Sequence, residues 1–580
     1  SDATVAEGGN LVFNVALSEG VCATDFTVNY SISNGTTTAA DYATPANDSD
    51  ATPADGILTL SSGATSGTVT IATTTDANME MDEYLIVVLS VNSHGTFVDD
   101  TGRGVIENDD DNGYIWTGDA GDGDFHNGAN WSNGVTAPGN TNVVLFDDVC
   151  ADVPSNCDVL VSNGNVDVQG FWINESYAGT ITQGAGRTIK VGNSYFEQRG
   201  GTFVGGDSTI DVDRFYMKAG TFISTTGELR VGQVSVAGGG QLSVTGGAFD
   251  NNSGTVRMDG QIWDVNPVRV GELTAPSGLT LNNLIIDAHD TETGSGADDA
   301  YVVIANGTTI HVDGDLTIRD GFIGGVNMGI YPGNIYLKGN FYQLDVSSSI
   351  RSEVVQLGYD IVPPIVYFDS GGSQEYSGTS NTRGPRITVT NGSVVTPAAG
   401  TTDVGFSSFA LLSGSFQAPS GTMKLGYNTS SDADMLSGWT HTGGIFDHNF
   451  GTIKFDSNGY FNNPRNGCTV NSPSGTTFYN LHIAVRDYAS DSGYNGAEFD
   501  WSAASPLTVL NDLIVTDGVV KAGGSFIVGR DVRLNYTNAQ IHAEGFSAGL
   551  IFNGASDAAI EVQLGASGFS TSLNVEKDST

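Results

Sequence analysis

The N-terminal segment, residues 1–111, holds a large excess of carboxylates, the side chains that bind hard cations. Eighteen Asp and Glu occur there against a single base, Arg103, which gives this segment a net charge of −17. The rest of the chain carries 48 acids and 21 bases, a charge of −27 over a much longer stretch. Charge of one sign at such density predicts either strong self-repulsion or bound cations.

Catalytic motifs are absent from the sequence. We find no HExxH zinc motif, no GxSxG elbow, no P-loop and no CxxC pair, and the eight His are scattered. Asp211 and Asp213 lie two residues apart near Arg214 and would share one solvent face of a strand. A glycosidase needs two carboxylates on either side of the scissile bond, whereas strand alternation alone easily produces a same-strand pair. The sequence therefore favours a protein that is not an enzyme.

The four cysteines allow one local pair. Cys150 and Cys157 flank a turn, and a disulfide that closes this turn is plausible. The alternative is that both are small apolar residues without a bond between them. Cys22 and Cys468 have no evident partner in the sequence.

The composition predicts an all-β chain. Hydrophobic residues make up 39% and charged residues 15%, Gly occurs 78 times, and no helical periodicity extends over three turns. Apolar and polar residues instead alternate over short runs that Gly, Asn, Asp or Ser interrupts. Within residues 1–111 we predict an antiparallel sandwich with strands at Asn10–Leu17, Asp25–Ser33, Gly56–Leu60, Gly67–Thr73, Tyr84–Val91 and Gly104–Ile106.

This N-terminal segment resembles the Calx-β domain over nearly its whole length. The matching pieces are VAEGGNLVFNVALSEG (5–20), GTTTAADYATP (35–45), GILTLSSGATSGTVTIATTTDANMEMDEYLIVVLS (56–90) and GRGVIENDDD (102–111). The resemblance implies an immunoglobulin-like sandwich, and in calcium-binding members of the family acids at one end hold the ions.

The resemblance also implies a ligand set for Ca²⁺. Thr75 and Asn108 stand where the family often has Asp, which suggests fewer or weaker ions than a full site, and the alternative interpretation is a solvated acidic edge. The matching residues are Glu7, Asp41, Asp76, Glu80, Glu83, Asp109 and Asp110.

Residues 112–158 form a junction rich in Gly, Asp and Asn. With Trp116 and Trp131 it resembles the W-T-G…N-W-S…P lead-in that precedes solenoid repeats in large bacterial surface proteins, and its role would be a cap for the first coil. Asp119, Asp122 and Asp124 could bind a cation, but their spacing differs from an EF-hand loop and a solvated turn is the simpler interpretation.

Residues 159–580 carry a repeat of roughly 20 residues typical of a three-faced parallel β-helix, or solenoid. We align three series of strands in it, which are Gly179-Thr-Ile, Gly201-Thr-Phe, Gly220-Thr-Phe and Gly240-Gln-Leu; then Ile189/Val191, Ile210/Val212 and Leu229/Val231; then Tyr195-Phe196, Phe215-Tyr216 and Val234/Val236.

The sequence also contains a repeat that is longer than a single coil. TGGAFDNNSGTVRMD (245–259) matches TGGIFDHNFGTIKFD (442–456), and two later pairs of segments keep the same offset along the chain. We infer a duplicated unit at about 245–345 and 442–542. The loops His289–Asp299 and Arg486–Glu498 occupy equivalent places in the two copies and are candidate binding loops, and Trp263, Trp439 and Trp501 are possible stacking platforms.

These features together predict a non-enzymatic structural or adhesive protein of a bacterial cell surface, elongated into a rod or fibre and stiffened by calcium. The chain starts inside a strand-like pattern, from which we expect a processed, secreted form. Partners would be other copies of the chain or a surface or matrix ligand such as carbohydrate. The charge of −44 disfavours nucleic acid, and no apolar run approaches a membrane span. The alternatives are a polysaccharide lyase or hydrolase on a β-helix and a phage-type fibre.

Overall fold

The structure, a computed structural model, divides into two compact units, Ser1–Ile181 with Glu197–Thr202 and Thr182–Phe196 with Phe203–Thr580. The predicted boundaries after residues 111 and 158 fall inside the first unit and stay predictions. The residues that the structure describes are 1–18, 24–43, 47–48, 56–91, 96–110, 113–152, 156–232, 240–262, 269–290, 300–324, 333–344, 364–378, 384–426, 428–429, 438–456, 458–459, 468–472, 475–487, 498–501, 506–517, 519–522, 525–534, 540–543, 549–554, 558–562, 568–569 and 572–574.

The N-terminal part of the first unit is a sandwich of two β-sheets. One sheet has the order β1-β8-β7-β3-β5 and the other β2-β6-β4, and all pairs are antiparallel except β1 with β8. The strands are β1 (Ala3–Ala6), β2 (Asn10–Ala16), β3 (Phe26–Asn34), β4 (Asn47–Asp48), β5 (Ile57–Leu60), β6 (Ser66–Ala72), β7 (Glu83–Val91) and β8 (Thr101–Glu107).

Period-two alternation places one face of each of these strands in the core. Leu11 and Phe13 of β2 face Val69 and Ile71 of β6, and all four are buried with Leu85 of β7. Residues between them point to solvent because successive side chains of a strand face opposite sides. The predicted strands agree with the observed ones to within a few residues.

The junction begins the parallel strands of the first unit. Trp116 and Trp131 are buried, pack edge to face at 5.1 Å, and contact Phe146 of the strand that follows. The strands here are Tyr114–Ile115, Val143–Phe146, Val159–Val161, Val166–Val168 and Gly170–Ile173, and Thr180–Gln183 begins at the end of the unit. Two 3-10 helices, Gly128–Asn130 and Asp148–Asp152, are the helices of the described part of the chain, and neither is long enough to cross a membrane.

The second unit is built from long parallel sheets, so the all-β fold class is confirmed and the strand arrangement is that of a parallel β-helix. Its largest sheet contains Leu279–Leu281, Thr309–Val312, Asn334–Leu337, Ile365–Phe368, Gly384–Val389, Val404–Leu411, Thr422–Leu425, Gly438–His441, Thr452–Phe455, Cys468–Asn471, Asn480–Ala484, Glu498–Trp501, Leu513–Asp517, Val519–Ala522, Val532–Leu534, Gln540–Ala543, Ile560–Val562 and Gly568–Phe569. A second sheet contains Ile189–Val191, Ile210–Val212, Glu228–Val231, Thr255–Ile262, Asn283–Asp290, Leu316–Asp320, Phe341–Gln343, Ser373–Ser377, Val394–Pro397, Ser415–Gln417 and Ile445–Asp447.

Smaller parallel sheets complete the second unit. One contains Arg214–Met217, Gly240–Val244, Arg269–Thr274, Tyr301–Ile304 and Phe322–Gly324; another contains Thr477–Phe478, Leu507–Val509, Phe526–Val528, Gly549–Phe552 and Ser572–Asn574; a third contains Asn428–Thr429, Asn458–Gly459 and Arg486–Asp487; Thr221–Ile223 pairs with Ala248–Asp250. Phe196–Gln198 and Thr202–Val204 are further strands of this region.

The structure agrees with part of the strand series that we predicted from the short repeat. Ile189, Ile210 and Leu229 are in parallel register, as predicted. Gly240-Gln-Leu was assigned to the wrong series, because Gly240–Val244 pairs with Arg214–Met217. The predicted Val234/Val236 pair lies outside the described residues.

The two copies of the long repeat have strands at equivalent positions. Ala248–Asp250 corresponds to Ile445–Asp447, and Leu316–Asp320 to Leu513–Asp517, with both ends of each strand in the register of the sequence repeat. Side-chain hydrogen bonds recur as well, since the Asn283 amide donates to Thr255 Oγ1 at 3.4 Å and that of Asn480 to Thr452 Oγ1 at 3.3 Å. The two candidate binding loops lie mostly outside the described residues.

Candidate metal centre

Three acids from separate strand ends meet at one end of the sandwich. Glu7 follows β1, Asp76 follows β6 and Asp110 follows β8, and one carboxylate oxygen from each lies within 4.8 Å of the others. The chain reverses after Glu7 at Gly8, whose φ of +72° is a left-handed conformation that Gly adopts without a steric cost. This trio, Glu7/Asp76/Asp110, is the first acidic group.

A second acidic group consists of Asp41, Glu80 and Glu83. Their carboxylate oxygens also lie within 4.8 Å of one another. Glu83 is the first residue of β7, and Asp41 lies in the loop after β3. Among the described residues, these two trios are the groups of acids, His and Cys that have metal-binding geometry.

Backbone hydrogen bonds hold the loops that carry the two acidic groups. The Glu7 amide donates to the Glu107 carbonyl at 3.1 Å, and the Thr74 amide donates to the Asp41 carbonyl at 2.9 Å. Asn108 joins two further segments, because its Oδ1 accepts from the Glu80 amide at 2.9 Å and its Nδ2 donates to the Asp110 carbonyl at 2.9 Å. The side chain of Asn108 thus connects the loops that carry the acidic groups.

Burial and neighbouring negative charges raise the pKa of glutamates in both groups. Burial raises the pKa of Glu7 to about 7, and the charges of Glu80, Asp109, Asp110 and Asp76 add to the effect. Burial also raises the pKa of Glu83 to about 8, helped by a hydrogen bond and charge repulsion from Asp41, while Arg199 opposes the shift.

The donor set fits a hard cation. Every candidate ligand is a carboxylate oxygen, the ligand type that Ca²⁺ prefers, and ligands from separate loops can supply its six to eight contacts. Burial, together with the charges of neighbouring carboxylates, raises the pKa of Glu7, Glu80 and Glu83. Glu7, Asp76, Asp110, Asp41, Glu80 and Glu83 are the residues that would hold such ions.

Six of the seven residues implied by the family resemblance fall into the two groups. The seventh, Asp109, lies in neither group. Its negative charge contributes to the raised pKa of Glu7. Sequence reasoning missed Asp82, whose Oδ1 accepts from the Asn108 amide at 3.2 Å and whose pKa burial raises. The signal for Asp82 was its place between Glu80 and Glu83 in the acidic segment MEMDEY.

Arg199 brings a positive charge to the edge of the second acidic group. Its Nη1 donates to the Asp82 carbonyl at 2.6 Å and its Nε to Glu197 Oε1 at 2.6 Å. The side chains of Arg199 and Glu197 are only 13% and 5% exposed. Arg103, the base of the N-terminal segment, pairs with Glu175 and lies over the Tyr84 ring at 4.3 Å. Two arginines therefore connect the sandwich to the first parallel strands inside the same unit.

The other candidates from the sequence have local structural roles. Cys150 and Cys157 form a disulfide with 5.1 Å between their Cα atoms, and Cys468 is buried, while Cys22 lies outside the described residues. The carboxylate of Asp122 accepts hydrogen bonds from the side-chain Nδ2 groups of Asn127 at 2.7 Å and Asn130 at 2.6 Å, and these bonds lower the pKa of Asp122.

The acidic DAGDGD turn and the proposed Trp platforms can now be placed. Asp119, Asp122 and Asp124 do not form a group with metal-binding geometry within the described residues. Trp439 and Trp501 are fully buried, so the prediction that these two residues are surface platforms was wrong. Trp263 lies outside the described residues.

Comparisons with known proteins give little further information. No protein-family model matches the chain, and no curated protein matches it. A solved structure described as "Crystal structure of CBD12 from CALX1.2" is 23% identical, with a TM-score of 0.17. The match covers 21% of this chain and 46% of that one, so this chain spans less than half the length of the structure that it matches.

Proposed function

We propose that the protein is a non-enzymatic extracellular structural or adhesive protein of a bacterial cell surface, and that calcium stabilises its N-terminal sandwich. The observation that carries the proposal is the pair of acidic groups at one end of that sandwich. Six carboxylates repel one another there, and a divalent cation would convert the repulsion into attraction. Long parallel sheets with buried apolar side chains suit an extended scaffold rather than a catalytic cleft.

The contacts of Arg199 suggest how ion binding would reach beyond the sandwich. Asp82, whose carbonyl accepts from Arg199, precedes Glu83 of the second acidic group. Ordering of Glu83 by an ion would therefore also order the peptide that Arg199 holds. In this proposal calcium stiffens both the sandwich and its connection to the first parallel strands.

Calorimetry tests the calcium proposal. We expect Ca²⁺ to raise the unfolding temperature of the first unit relative to the protein in chelator, because the ion binds the folded form and not the unfolded chain. Mg²⁺ at the same concentration serves as a control, since it demands stricter octahedral geometry and dehydrates reluctantly. Identical unfolding curves in Ca²⁺ and in chelator would remove calcium from the proposal.

One observation favours a carbohydrate-active enzyme as the second candidate. Burial raises the pKa of both Asp211 and Asp213, and Asp213 is only 6% exposed. The Oδ1 atoms of both have no hydrogen-bond partner within the described part of the chain. A raised pKa favours the protonated form of a carboxyl, which is the form that acts as a general acid.

A cleavage assay separates this candidate from the structural proposal. Acidic and neutral polysaccharides are incubated with the protein, with and without calcium, and new reducing ends or unsaturated products are measured. Cleavage that Asp211→Asn abolishes and that the outward-facing Asp167→Asn leaves unchanged would establish the enzyme. We expect no turnover above the buffer control.

A further inference from the structure

A cluster of three aromatic rings, one of them largely exposed, forms where a turn of the second repeat copy meets Tyr479. His448, Phe450 and Tyr479 have ring centroids 5.3 to 5.7 Å apart. The rings of His448 and Tyr479 are 34° apart, and Phe450 stands at 73° and 78° to them, so the cluster forms a corner. Phe450 is 71% exposed. We name this cluster the aromatic corner.

The first repeat copy builds the same turn without aromatic residues. Asn251, Ser253 and Asn282 occupy the corresponding positions there. The Ser253 amide donates to Asn251 Oδ1 at 2.9 Å, and the Phe450 amide donates to His448 Nδ1 at 3.1 Å. The fold of the turn therefore does not require aromatic side chains.

Two further hydrogen bonds of the two turns also correspond. Asp250 Oδ1 accepts from the Asn252 amide at 2.8 Å, and Asp447 Oδ1 accepts from the Asn449 amide at 2.9 Å. The Asn252 Nδ2 group donates to the Ser224 carbonyl at 2.8 Å, as that of Asn449 does to the Ala418 carbonyl at 3.1 Å. The two copies thus differ at the surface of the turn and not in its framework.

Phe450 is an unfavourable residue for its backbone conformation. Its φ is +57°, in the left-handed region that bulky side chains rarely adopt, whereas the equivalent Ser253 has a φ of +58°. Exposure of an apolar ring to water adds a second cost. Strained and exposed residues of this kind are concentrated at ligand sites.

The chemistry of the aromatic corner matches an uncharged sugar ring. Its ring faces can stack on the C–H faces of a pyranose, while polar groups at its edge can bond the hydroxyls. Because His448 Nδ1 accepts from the Phe450 amide, the neutral ring carries its proton on Nε2. That group and the Tyr479 hydroxyl have no partner among the described residues and remain available.

Charge and size argue against the other classes of ligand. Arg530, near Tyr479, is held by Asp512 in two bonds of 2.7 Å, and Asp447 accepts from Gln417 Nε2 at 2.8 Å, so charged groups at the rim are already engaged. A protein partner needs roughly 800 Å² on each side, whereas a buried aromatic side chain contributes about 150–250 Å² and only Phe450 is largely exposed here.

We propose that the aromatic corner, His448, Phe450 and Tyr479, binds a neutral polysaccharide through one sugar ring. The proposal rests on the proposed adhesive function and names the class of ligand that this function would use. It assigns the contact to the second repeat copy alone, because the first copy has the same turn without the rings.

Affinity gel electrophoresis of the full chain tests the site. The probes are soluble β-1,3-glucan, α-1,4-glucan, mannan and xylan, with alginate as the acidic comparison. We expect retardation by at least one neutral polysaccharide, and at least tenfold weaker binding for Phe450→Ser and Tyr479→Asn, which restore the residues of the first copy. Ile445→Ala, at another exposed apolar residue, is the control and should bind as the parent chain does.

A gain-of-function variant guards against effects on folding. Asn251→His, Ser253→Phe and Asn282→Tyr together should create a second site and double the number of sugar molecules bound. Retardation by no neutral polysaccharide, or unchanged binding after Phe450→Ser, would overturn the proposal. Loss of self-association after Phe450→Ser, without sugar binding, would also overturn it in favour of a contact between copies.

The same samples distinguish this proposal from the proposed function. A polysaccharide that is bound and also cleaved supports the aromatic corner and contradicts the non-enzymatic role. Absence of binding in a chain that calcium still stabilises contradicts the aromatic corner and leaves the structural role intact.

Discussion

At the scale of single residues, the sandwich concentrates acids whose neighbours favour their protonated form. Glu7 and Glu83 have pKa values of about 7 and about 8, well above the ordinary 4.5. Such shifts mean that the folded metal-free protein holds these carboxylates at an energetic cost at neutral pH. Bound cations would remove that cost, and the next two predictions follow from this balance.

Glu83→Gln should raise the unfolding temperature without calcium and should reduce the rise that calcium causes. Without calcium the variant should unfold at a higher temperature than the parent chain, because one carboxylate is removed from the repulsive second group. With calcium it should gain less from the ion, because a ligand is lost. Calorimetry in chelator and in Ca²⁺ measures both effects.

Asp100→Asn is the matched control for that experiment, since it makes the same change of charge at an exposed acid outside both groups. It should shift neither curve appreciably. Equal responses of the two variants would mean that net charge, and not the acidic groups, determines the behaviour.

In chelator, the stability of the first unit should fall as the pH rises from about 4.5 to about 8. The raised pKa values of Glu7 and Glu83 mean that the folded state binds protons more tightly than the unfolded chain. Their contribution is therefore fully present below the unfolded value and is lost as the pH rises through 7 and 8.

Calcium should reverse this trend, because its ligands must be deprotonated. Thermal unfolding across this pH range in chelator and in Ca²⁺ checks both arms. A metal-free stability that rises between pH 5 and 8 would contradict the prediction.

The two acidic groups could be predicted from the family resemblance, but the residues that support them could not. Six of the seven implied acids meet because they lie at or near the ends of strands that converge at one end of the sandwich. Arg199 contacts the Asp82 carbonyl across 117 positions of sequence, and no local pattern marks such a pair. Asp109 shows the limit of position-by-position transfer, because it lies in neither acidic group whereas its neighbour Asp110 belongs to the first.

At the scale of elements, the start of β7 is held from two directions. Glu83 opens the strand within the second acidic group, and Arg199 binds the peptide just before it. Because Arg199 also pairs with the buried Glu197, its guanidinium is enclosed by groups that depend on its charge. The start of β7 is therefore the place where the sandwich and the first parallel strands stabilise each other.

Arg199→Met should destabilise the first unit by about 3 kcal/mol, since it removes the cation from a buried carboxylate. Arg103→Met is the matched control, because its pair with Glu175 is more exposed and should contribute about 1 kcal/mol or less. Urea unfolding of both variants in calcium gives the two values. Equal losses would show that burial of the Arg199 pair is not what matters.

Strand existence was easier to predict than strand partners. The spacing of Ile189, Ile210 and Leu229 predicted a real register, because short strands with alternating burial repeat at nearly constant length there. The assignment failed at Gly240, because the step from Thr221 to its partner Ala248 is longer than the steps before it. Such short strands look alike in sequence, so an added segment shifts the apparent sheet.

At the scale of the whole molecule, the chain joins an acidic sandwich to a long series of parallel strands with a duplicated unit. Neither feature identifies the oligomeric state. The alternative functions predict different oligomeric states. Sedimentation should give single chains or open-ended assemblies for a surface scaffold, whereas a stable trimer would favour a phage-type fibre.

Electron microscopy of the chain in calcium and in chelator tests whether calcium stiffens a structural protein. We expect extended particles that form ordered assemblies or have straight, uniform N-terminal ends in calcium, and bent or variable N-terminal ends in chelator. Particles of the same shape and order in both conditions would contradict a calcium-stiffened structural protein.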